Sequence, residues 1–137
     1  MSKILVAIAD TVFPNWEPAE KVLADLNVSL ERSENPSKEA ILSVARDAEA
    51  LFVTYAQITA EVINGLKKCK VIGRFGVGTD NIDIEAATEA GIVVTYAPLY
   101  CLDEVSDHAM TTLLALARKI PFSNQMVHNG RWEMPAV

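Results

Sequence analysis

Residues 71–83 read VIGRFGVGTDNID, and this stretch gives the clearest indication of how the chain folds. It begins with apolar residues that are typical of a buried strand. Gly76 and Gly78 flank Val77, and because glycine has no Cβ, this loop can take positive φ and can approach a ligand closely. Asp83 stands where an N-cap residue is expected. The stretch therefore predicts a strand, a glycine loop and the start of a helix.

Apolar and helical segments alternate through the first hundred residues. The apolar segments predict strands at 3–9, 27–31, 50–54, 71–75 and 92–96. Helical spacing of apolar residues predicts helices at 17–26, 35–45, 60–66 and 83–90. Short connections in this order predict an α/β fold, with a doubly wound parallel sheet of flavodoxin-like strand order 2-1-3-4-5. In such sheets ligands bind beyond the carboxyl ends of the strands, and the glycine loop lies at one of these ends.

A long helix is predicted at 104–120, after the last strand, with Asp103 as its cap. Residues 113–117 (LLALA) are apolar on every side, as in helices buried by more than one neighbour. Pro121 is expected to kink or restart this helix. We therefore divide the chain into a flavodoxin-like domain, 1–101, and a helix with its tail, 102–137. We expect another chain or a further segment to cover the helix.

Composition limits the classes of partner. The chain of 137 residues carries a net charge of −6, which argues against nucleic acid or an anionic membrane as a partner. No apolar run reaches the roughly 18 residues of a membrane span, and the N-terminus does not read as a signal peptide. Cys69 and Cys101 have neither metal nor redox spacing and are expected to be reduced thiols. These features predict a cytoplasmic protein without a metal site.

Three functions common on flavodoxin-shaped folds disagree with the sequence. A phosphoacceptor receiver needs a carboxylate after strand three, where Thr54 and Tyr55 stand. A flavin site needs a glycine-containing loop after strand one, and residues 10–15 contain no glycine. The dinucleotide fingerprint G-x-G-x-x-G is absent, because residues 73–78 read G-x-x-G-x-G.

Two interpretations of the glycine loop remain open. Successive amides of mixed handedness form a nest that attracts carboxylates and phosphates. Alternatively, the two glycines serve only the geometry of a tight turn. His108 and His128 are more simply packed or solvated residues than general bases, and no spacing indicates a catalytic triad or a pair of catalytic carboxylates.

Two segments together resemble the D-isomer-specific 2-hydroxyacid dehydrogenases, the relatives of phosphoglycerate dehydrogenase. They are GRFGVGTDNIDIEAATEAGIVVTYAP, residues 73–98, and EVSDHAMTTLLALARKI, residues 104–120. The resemblance extends from about residue 51 to 132. In that family a flavodoxin-like N-terminal domain holds the substrate and a Rossmann domain holds the cofactor. The family's reaction is hydride transfer between NAD(H) or NADP(H) and a 2-hydroxy or 2-keto acid.

The resemblance implies substrate-binding roles for two loops. Backbone amides at Tyr55 and Ala56, and at Gly76, Val77 and Gly78, match the positions that hold the substrate carboxylate. Val77 also matches a position that approaches the nicotinamide. Some phosphoglycerate-type relatives carry arginine where this chain has Tyr55, which disfavours phosphoglycerate as substrate. The identity of the acid and the choice of NAD or NADP remain open.

The family's catalytic Arg, Glu and His and its cofactor fingerprint match no residue of this chain. The resemblance therefore implies a substrate-binding portion with no catalytic residue, no turnover and no stably bound cofactor of its own. The helix at 104–120 matches one that leads into the cofactor domain and takes part in dimer contacts, so a homodimer through this helix is expected. The alternative is a stand-alone flavodoxin-like module for binding or dimerisation, without catalysis.

Overall fold

A computed structural model describes residues 3–133. The chain divides into two compact units, the first ending at Tyr100 and the second beginning at Cys101. The elements in chain order are β1 Ile4–Ile8, α1 Glu17–Leu23, β2 Val28–Arg32, α2 Lys38–Ala45, β3 Ala50–Val53, α3 Ala60–Gly65, β4 Val71–Arg74, α4 Ile84–Glu89, β5 Val93–Thr95, α5 Leu102–Ala117 and α6 Ile120–His128.

The first unit is built on a five-stranded sheet of order β2-β1-β3-β4-β5, and every neighbouring pair is parallel. The predicted α/β fold and strand order are confirmed. Ile8 of β1 pairs with Phe52 of β3, and Val53 of β3 pairs with Arg74 of β4. Because the strands are parallel, the loops that follow β1, β3 and β4 meet at the same edge of the sheet.

The core lies between the sheet and the helices that connect its strands. Ser37 caps α2 by accepting the N–H of Ala40 at 3.3 Å, and α2 buries Ile41 and Ala45. Helix α2 therefore contributes these two side chains to the core. Leu51 and Ile72 of the central strands are also fully buried. Burial of each such side chain stabilises the fold by about 1.5–3 kcal/mol relative to exposure.

Helix α1 is shorter than predicted. It was predicted to span 17–26, but it ends at Leu23, and none of its residues is buried. Val22 is 81% exposed. Apolar side chains of this helix line an open groove, so the helical spacing of apolar residues does not here reflect a buried face.

Helix α4 has the predicted start, and it ends before a glycine. The carboxylate of Asp83 accepts the N–H of Ala86 at 2.9 Å, which confirms the predicted cap. Gly91 has φ of +69°, the left-handed conformation that ends helices. Thr59 stands at the N-cap of α3, but its side chain makes no capping hydrogen bond.

The second unit contains α5 and α6. Helix α5 begins at Leu102 after the N-cap residue Cys101, so the predicted cap at Asp103 is wrong. Asp103 lies instead within the first turn, where its charge favours the helix N-terminus. Lys119 has φ of +54°, and Pro121 lies in the first turn of α6, which confirms that the helix restarts there.

No residue of α5 is buried. Among the described residues, no helix combines the length and apolar character needed to cross a membrane.

Candidate functional site

Asp10 connects the end of β1 to the loop that follows β3. Its Oδ1 accepts the backbone N–H of Thr54 at 2.8 Å, and its Oδ2 accepts that of Tyr55 at 2.7 Å. The hydroxyl of Thr54 also donates to the Asp10 carbonyl at 3.4 Å. Hydrogen bonds to a charged acceptor are stronger than neutral ones. The carboxylate therefore fixes the start of this loop, residues 54–58, which we call the β3 loop.

Asn81 connects the β3 loop to the loop after β4. Its Nδ2 donates to the carbonyl of Ala56 at 2.9 Å and to that of Thr54 at 3.4 Å. The backbone N–H of Ile58 donates to the Asn81 carbonyl at 2.8 Å. Ile58 and Ile82 also form a parallel bridge. The two loops are therefore joined by both backbone and side-chain hydrogen bonds.

The glycine loop comprises residues 76–78, and none of them has positive φ. Of the two interpretations left open by the sequence, the mixed-handed nest therefore does not describe this loop. A Cβ at Gly76 would meet the guanidinium at the end of the Arg74 side chain, so this side chain lies directly against the loop. The N–H of Gly76 donates to the Arg74 carbonyl, and its own carbonyl accepts the N–H of Ala97, both at 3.0 Å. The second bond joins the loop to the segment that follows β5.

Three amides of the predicted site residues remain available. Within residues 3–133, the backbone N–H groups of Ala56, Val77 and Gly78 donate to no protein acceptor. That of Tyr55 is already bonded to Asp10. Ala56 is only 4% exposed, and a buried N–H without a partner is rare because it costs free energy. The two loops thus present unpaired donors at one edge of the sheet, which together we call the amide cradle.

Arg74 is the cation in contact with the glycine loop. Its Nε is buried and has no hydrogen-bond partner among the described residues. Across the same part of the chain, Arg74 forms no salt bridge. A guanidinium that lacks an acidic partner favours an anion nearby. The charge of Arg74 and the unpaired amides therefore suit the same kind of ligand, a small anion.

Two cavities lie in the first unit beside these loops. One of about 280 Å³ is lined by Gln57 of the β3 loop and by Asp80 and Asn81, which follow the glycine loop. The other, of about 650 Å³, is lined by Phe13, Trp16, Phe52 and Phe75 together with apolar residues of α1. The rings of Phe52 and Phe75 lie 5.0 Å apart, and Trp16 stacks on Phe52 at 6.4 Å. We call the second cavity the aromatic groove; its apolar walls suit packing rather than a carboxylate.

Comparison with protein families identifies the chain. Residues 6–124 match the family model described as D-isomer specific 2-hydroxyacid dehydrogenase, catalytic domain. The chain belongs to this family. The match includes the second half of β1, all of β2–β5, both loops of the amide cradle and α5.

Other members of the 2-hydroxyacid dehydrogenase family are similar over nearly the whole chain. The D-3-phosphoglycerate dehydrogenase of Methanocaldococcus jannaschii is 40% identical over 134 residues, which are 97% of this chain and 24% of that protein. The human D-3-phosphoglycerate dehydrogenase is 36% identical over 129 residues, 93% of this chain and 24% of its own length. The chain therefore spans about a quarter of the length of these curated relatives.

Solved structures of dehydrogenases share the fold. D-lactate dehydrogenase of Aquifex aeolicus, complexed with NAD and lactic acid, superposes with a TM-score of 0.82 at 22% identity, over 96% of this chain and 39% of that one. At this identity the likeness concerns the fold alone. An NADPH-dependent glyoxylate/hydroxypyruvate reductase of Sinorhizobium meliloti, in complex with NADP and malonate, gives a TM-score of 0.77 at 25% identity, over 96% and 40%.

The family's cofactor does not fit the described residues as a dinucleotide phosphate site. Gly76 and Gly78 lack positive φ, and α4 begins only at Ile84, so no helix N-terminus directly follows the glycine loop. A pyrophosphate needs both features. Val77 is 44% exposed and is the candidate cofactor contact in this loop.

We assign no role in the amide cradle to the remaining candidate residues. His108 and His128 are exposed residues of α5 and α6. Cys69 and Cys101 are free thiols. No group of His, Cys, Asp and Glu among residues 3–133 has the arrangement of a metal site.

Sequence reasoning missed Asp10, Asn81 and Arg74 as parts of the site. The position of Asp10 could have indicated its role. It follows the buried strand β1, and the end of β1 lies beside the end of β3 in the predicted strand order. Nothing in the local sequence assigned a role to Asn81. Its two acceptors belong to the β3 loop, so the contact depends on strand order and could not be found from local sequence.

Proposed function

We propose that the chain is the substrate-binding portion of an NAD(P)-dependent D-2-hydroxyacid dehydrogenase. The observation that carries the proposal is the set of unpaired amide donors at Ala56, Val77 and Gly78, together with the guanidinium of Arg74 against Gly76 of the same loop. A carboxylate accepts several such hydrogen bonds at once. In this role the chain binds and orients the acid, and Val77 faces the nicotinamide when NAD or NADP is held elsewhere in the enzyme.

The proposal extends to the absence of turnover by this chain alone. Neither a cofactor phosphate loop nor an assigned acid or base is found among its 137 residues. Incubation with NADH and glyoxylate, pyruvate or hydroxypyruvate should leave the absorbance of NADH unchanged. Clear oxidation of NADH by the purified chain would contradict the assignment as a binding portion.

Carboxylate binding can be measured directly by NMR. Titration of the ¹⁵N-labelled chain with D-lactate should shift the amide signals of Ala56, Val77 and Gly78 in a saturable manner. Lactamide is the matched control, because it has the same shape without the charge. Equal shifts with both compounds, or none with D-lactate, would contradict the amide cradle as a carboxylate site.

The identity of the acid is the finer part of the proposal. The relatives named above are D-3-phosphoglycerate dehydrogenases, whereas Tyr55, 65% exposed at the cradle, offers no charge to a phosphate. We propose that acids without phosphate bind preferentially. A competition between D-lactate and 3-phosphoglycerate in the same NMR experiment tests this, and tighter binding of 3-phosphoglycerate would reverse the preference.

We further propose that the second unit forms a homodimer through α5. Several large apolar side chains of this helix are more than half exposed: Leu102, Val105, Met110, Leu113, Leu114 and Leu116. A contiguous apolar surface of this kind marks an interface, and a C2 dimer is the commonest assembly.

Light scattering tests the dimer. Leu113→Lys and Leu116→Lys should convert a dimer into a monomer, while Thr112→Lys on the same helix is the control for added charge. A monomeric wild-type chain at micromolar concentration would contradict the interface. Dimerisation without carboxylate binding would favour the second candidate function, a stand-alone dimerisation module.

A further inference from the structure

One side chain connects the two halves of the amide cradle. Asn81 lies on the segment after the glycine loop, and its Nδ2 donates to the carbonyls of Ala56 and Thr54 in the β3 loop. Resting on the proposed function, we infer that Asn81 is a positioning residue for substrate binding. It fixes where the N–H of Ala56 points relative to the amides of Val77 and Gly78.

The argument follows the peptide planes of the β3 loop. Each peptide group is planar, so fixing its carbonyl also fixes the N–H of the next residue. The peptide that joins Thr54 to Tyr55 is held at both ends, by Nδ2 of Asn81 and by the carboxylate of Asp10. The peptide that joins Ala56 to Gln57 is held by Nδ2 of Asn81 at 2.9 Å.

The peptide between these two carries the N–H of Ala56. This N–H is among the donors without a protein acceptor in the described part of the chain. Because the peptide planes on both sides are fixed, the Ala56 N–H cannot rotate freely. Asn81 makes bonds on both sides of it, whereas Asp10 makes bonds on one side only.

Asparagine is the residue type that this position requires. A carboxamide supplies two N–H donors from one nitrogen, and both acceptors here are backbone carbonyls. Aspartate has nearly the same shape but no donor when ionised, so its oxygens would repel the carbonyl of Ala56. Alanine would remove the bonds without adding repulsion.

The backbone connection between the loops survives these substitutions. The N–H of Ile58 donates to the Asn81 carbonyl at 2.8 Å, and the N–H of Asp83 donates to the Ile58 carbonyl at 2.9 Å. Neither bond uses the Asn81 side chain. Ile58 is fully buried. The loops should therefore stay adjacent in the variants, while the peptide planes around Ala56 lose their restraint.

The experiment uses the whole 137-residue chain and D-lactate as the probe. The Kd is measured by NMR from the signals of Val77 and Gly78, together with the melting temperature of each variant. Asn81→Ala should raise the Kd by about fivefold, as expected from one or two lost hydrogen bonds of ordinary strength. Asp83→Ala is the matched control: it removes the α4 cap on the same segment and should lower stability without changing the Kd.

Asn81→Asp adds a second measurement, the pH dependence of D-lactate affinity, which should not change if the role of Asn81 is purely structural. Partial burial and facing carbonyls raise the pKa of the introduced carboxyl, since both disfavour its charge. Below that pKa the neutral carboxyl donates one hydrogen bond, so D-lactate affinity should recover between about pH 7 and pH 5. The wild-type affinity should stay flat over the same interval.

The outcomes separate the inference from the proposed function. A wild-type chain that does not bind D-lactate overturns the proposed function itself. Wild-type binding with an unchanged Kd in Asn81→Ala overturns only the inference, and so does an equal loss in Asp83→Ala. If Asn81→Ala does not fold, the pH profile of Asn81→Asp decides, and a flat profile overturns the inference.

Discussion

The backbone N–H of Tyr55 donates to Oδ2 of Asp10 at 2.7 Å, although 45 residues separate the two positions. The same carboxylate accepts the N–H of Thr54. Asp10→Ala would leave both donors without an acceptor in a partly buried site. We expect a loss of about 2 kcal/mol in the free energy of unfolding, measured by urea denaturation with tryptophan fluorescence.

The control for Asp10 is an aspartate without such bonds. Asp25 is exposed, and Asp25→Ala should change the free energy of unfolding by less than about 0.5 kcal/mol. Equal losses in the two variants would mean that the anchored amides contribute nothing to stability.

A second prediction concerns Gly73 of β4 and the ring of Phe52. A Cβ at Gly73 would lie 2.9 Å from Cδ1 and 3.0 Å from Cε1 of that ring. Phe52 also packs against Trp16 and Phe75 in the aromatic groove. Gly73→Val should therefore displace the ring and reduce the free energy of unfolding by about 1–3 kcal/mol.

A double-mutant cycle isolates this contact. Phe52→Leu shortens the side chain, so the penalty of Gly73→Val should shrink when both substitutions are combined. Denaturation curves of the four proteins provide the coupling energy. If the losses in the free energy of unfolding were strictly additive, the effect of Gly73→Val would not arise from contact with the ring of Phe52.

The fold was predictable because several local signals agreed. Continuous apolar strands, the helical spacing of apolar residues between them and the cap at Asp83 each indicated the alternation of strands and helices. Burial on α1 was not predictable, because the spacing of Val22 and Leu23 is the same whether a helix covers a core or lines an open groove. The amide cradle was only half predictable. Gly76 and its neighbours stood out, whereas Asp10 and Asn81 act across the sheet edge on residues far away in sequence.

Gly91 gives a third prediction, because its φ of +69° is a strained conformation for residues with a Cβ. No atom lies within 4 Å of a Cβ placed there, so the strain is confined to the backbone. Gly91→Ala should cost about 1–2 kcal/mol of stability. Gly91→Asn should cost less, since asparagine tolerates this region better. Thermal or urea unfolding measures both, and equal costs would contradict a backbone origin.

Cys69 gives a prediction about pH. Burial raises the pKa of its thiol, and hydrogen bonds to the backbone of Val71 and Leu51 offset part of this effect. The folded state therefore holds the proton more tightly than the unfolded state. The resulting contribution to stability is complete below the unfolded pKa, about 8.5, and is lost as the pH rises through the higher folded value.

The melting temperature of the wild-type chain should consequently fall as the pH rises from about 8.5 towards 10. In Cys69→Ala the same fall should be shallower, because the titrating thiol is gone. Cys101→Ala is the matched control and should follow the wild-type curve. Native Cys69 should also react with iodoacetamide more slowly than in urea, since the thiolate is the reactive form. Parallel melting curves for the wild type and Cys69→Ala would show that the thiol of Cys69 does not link pH to stability.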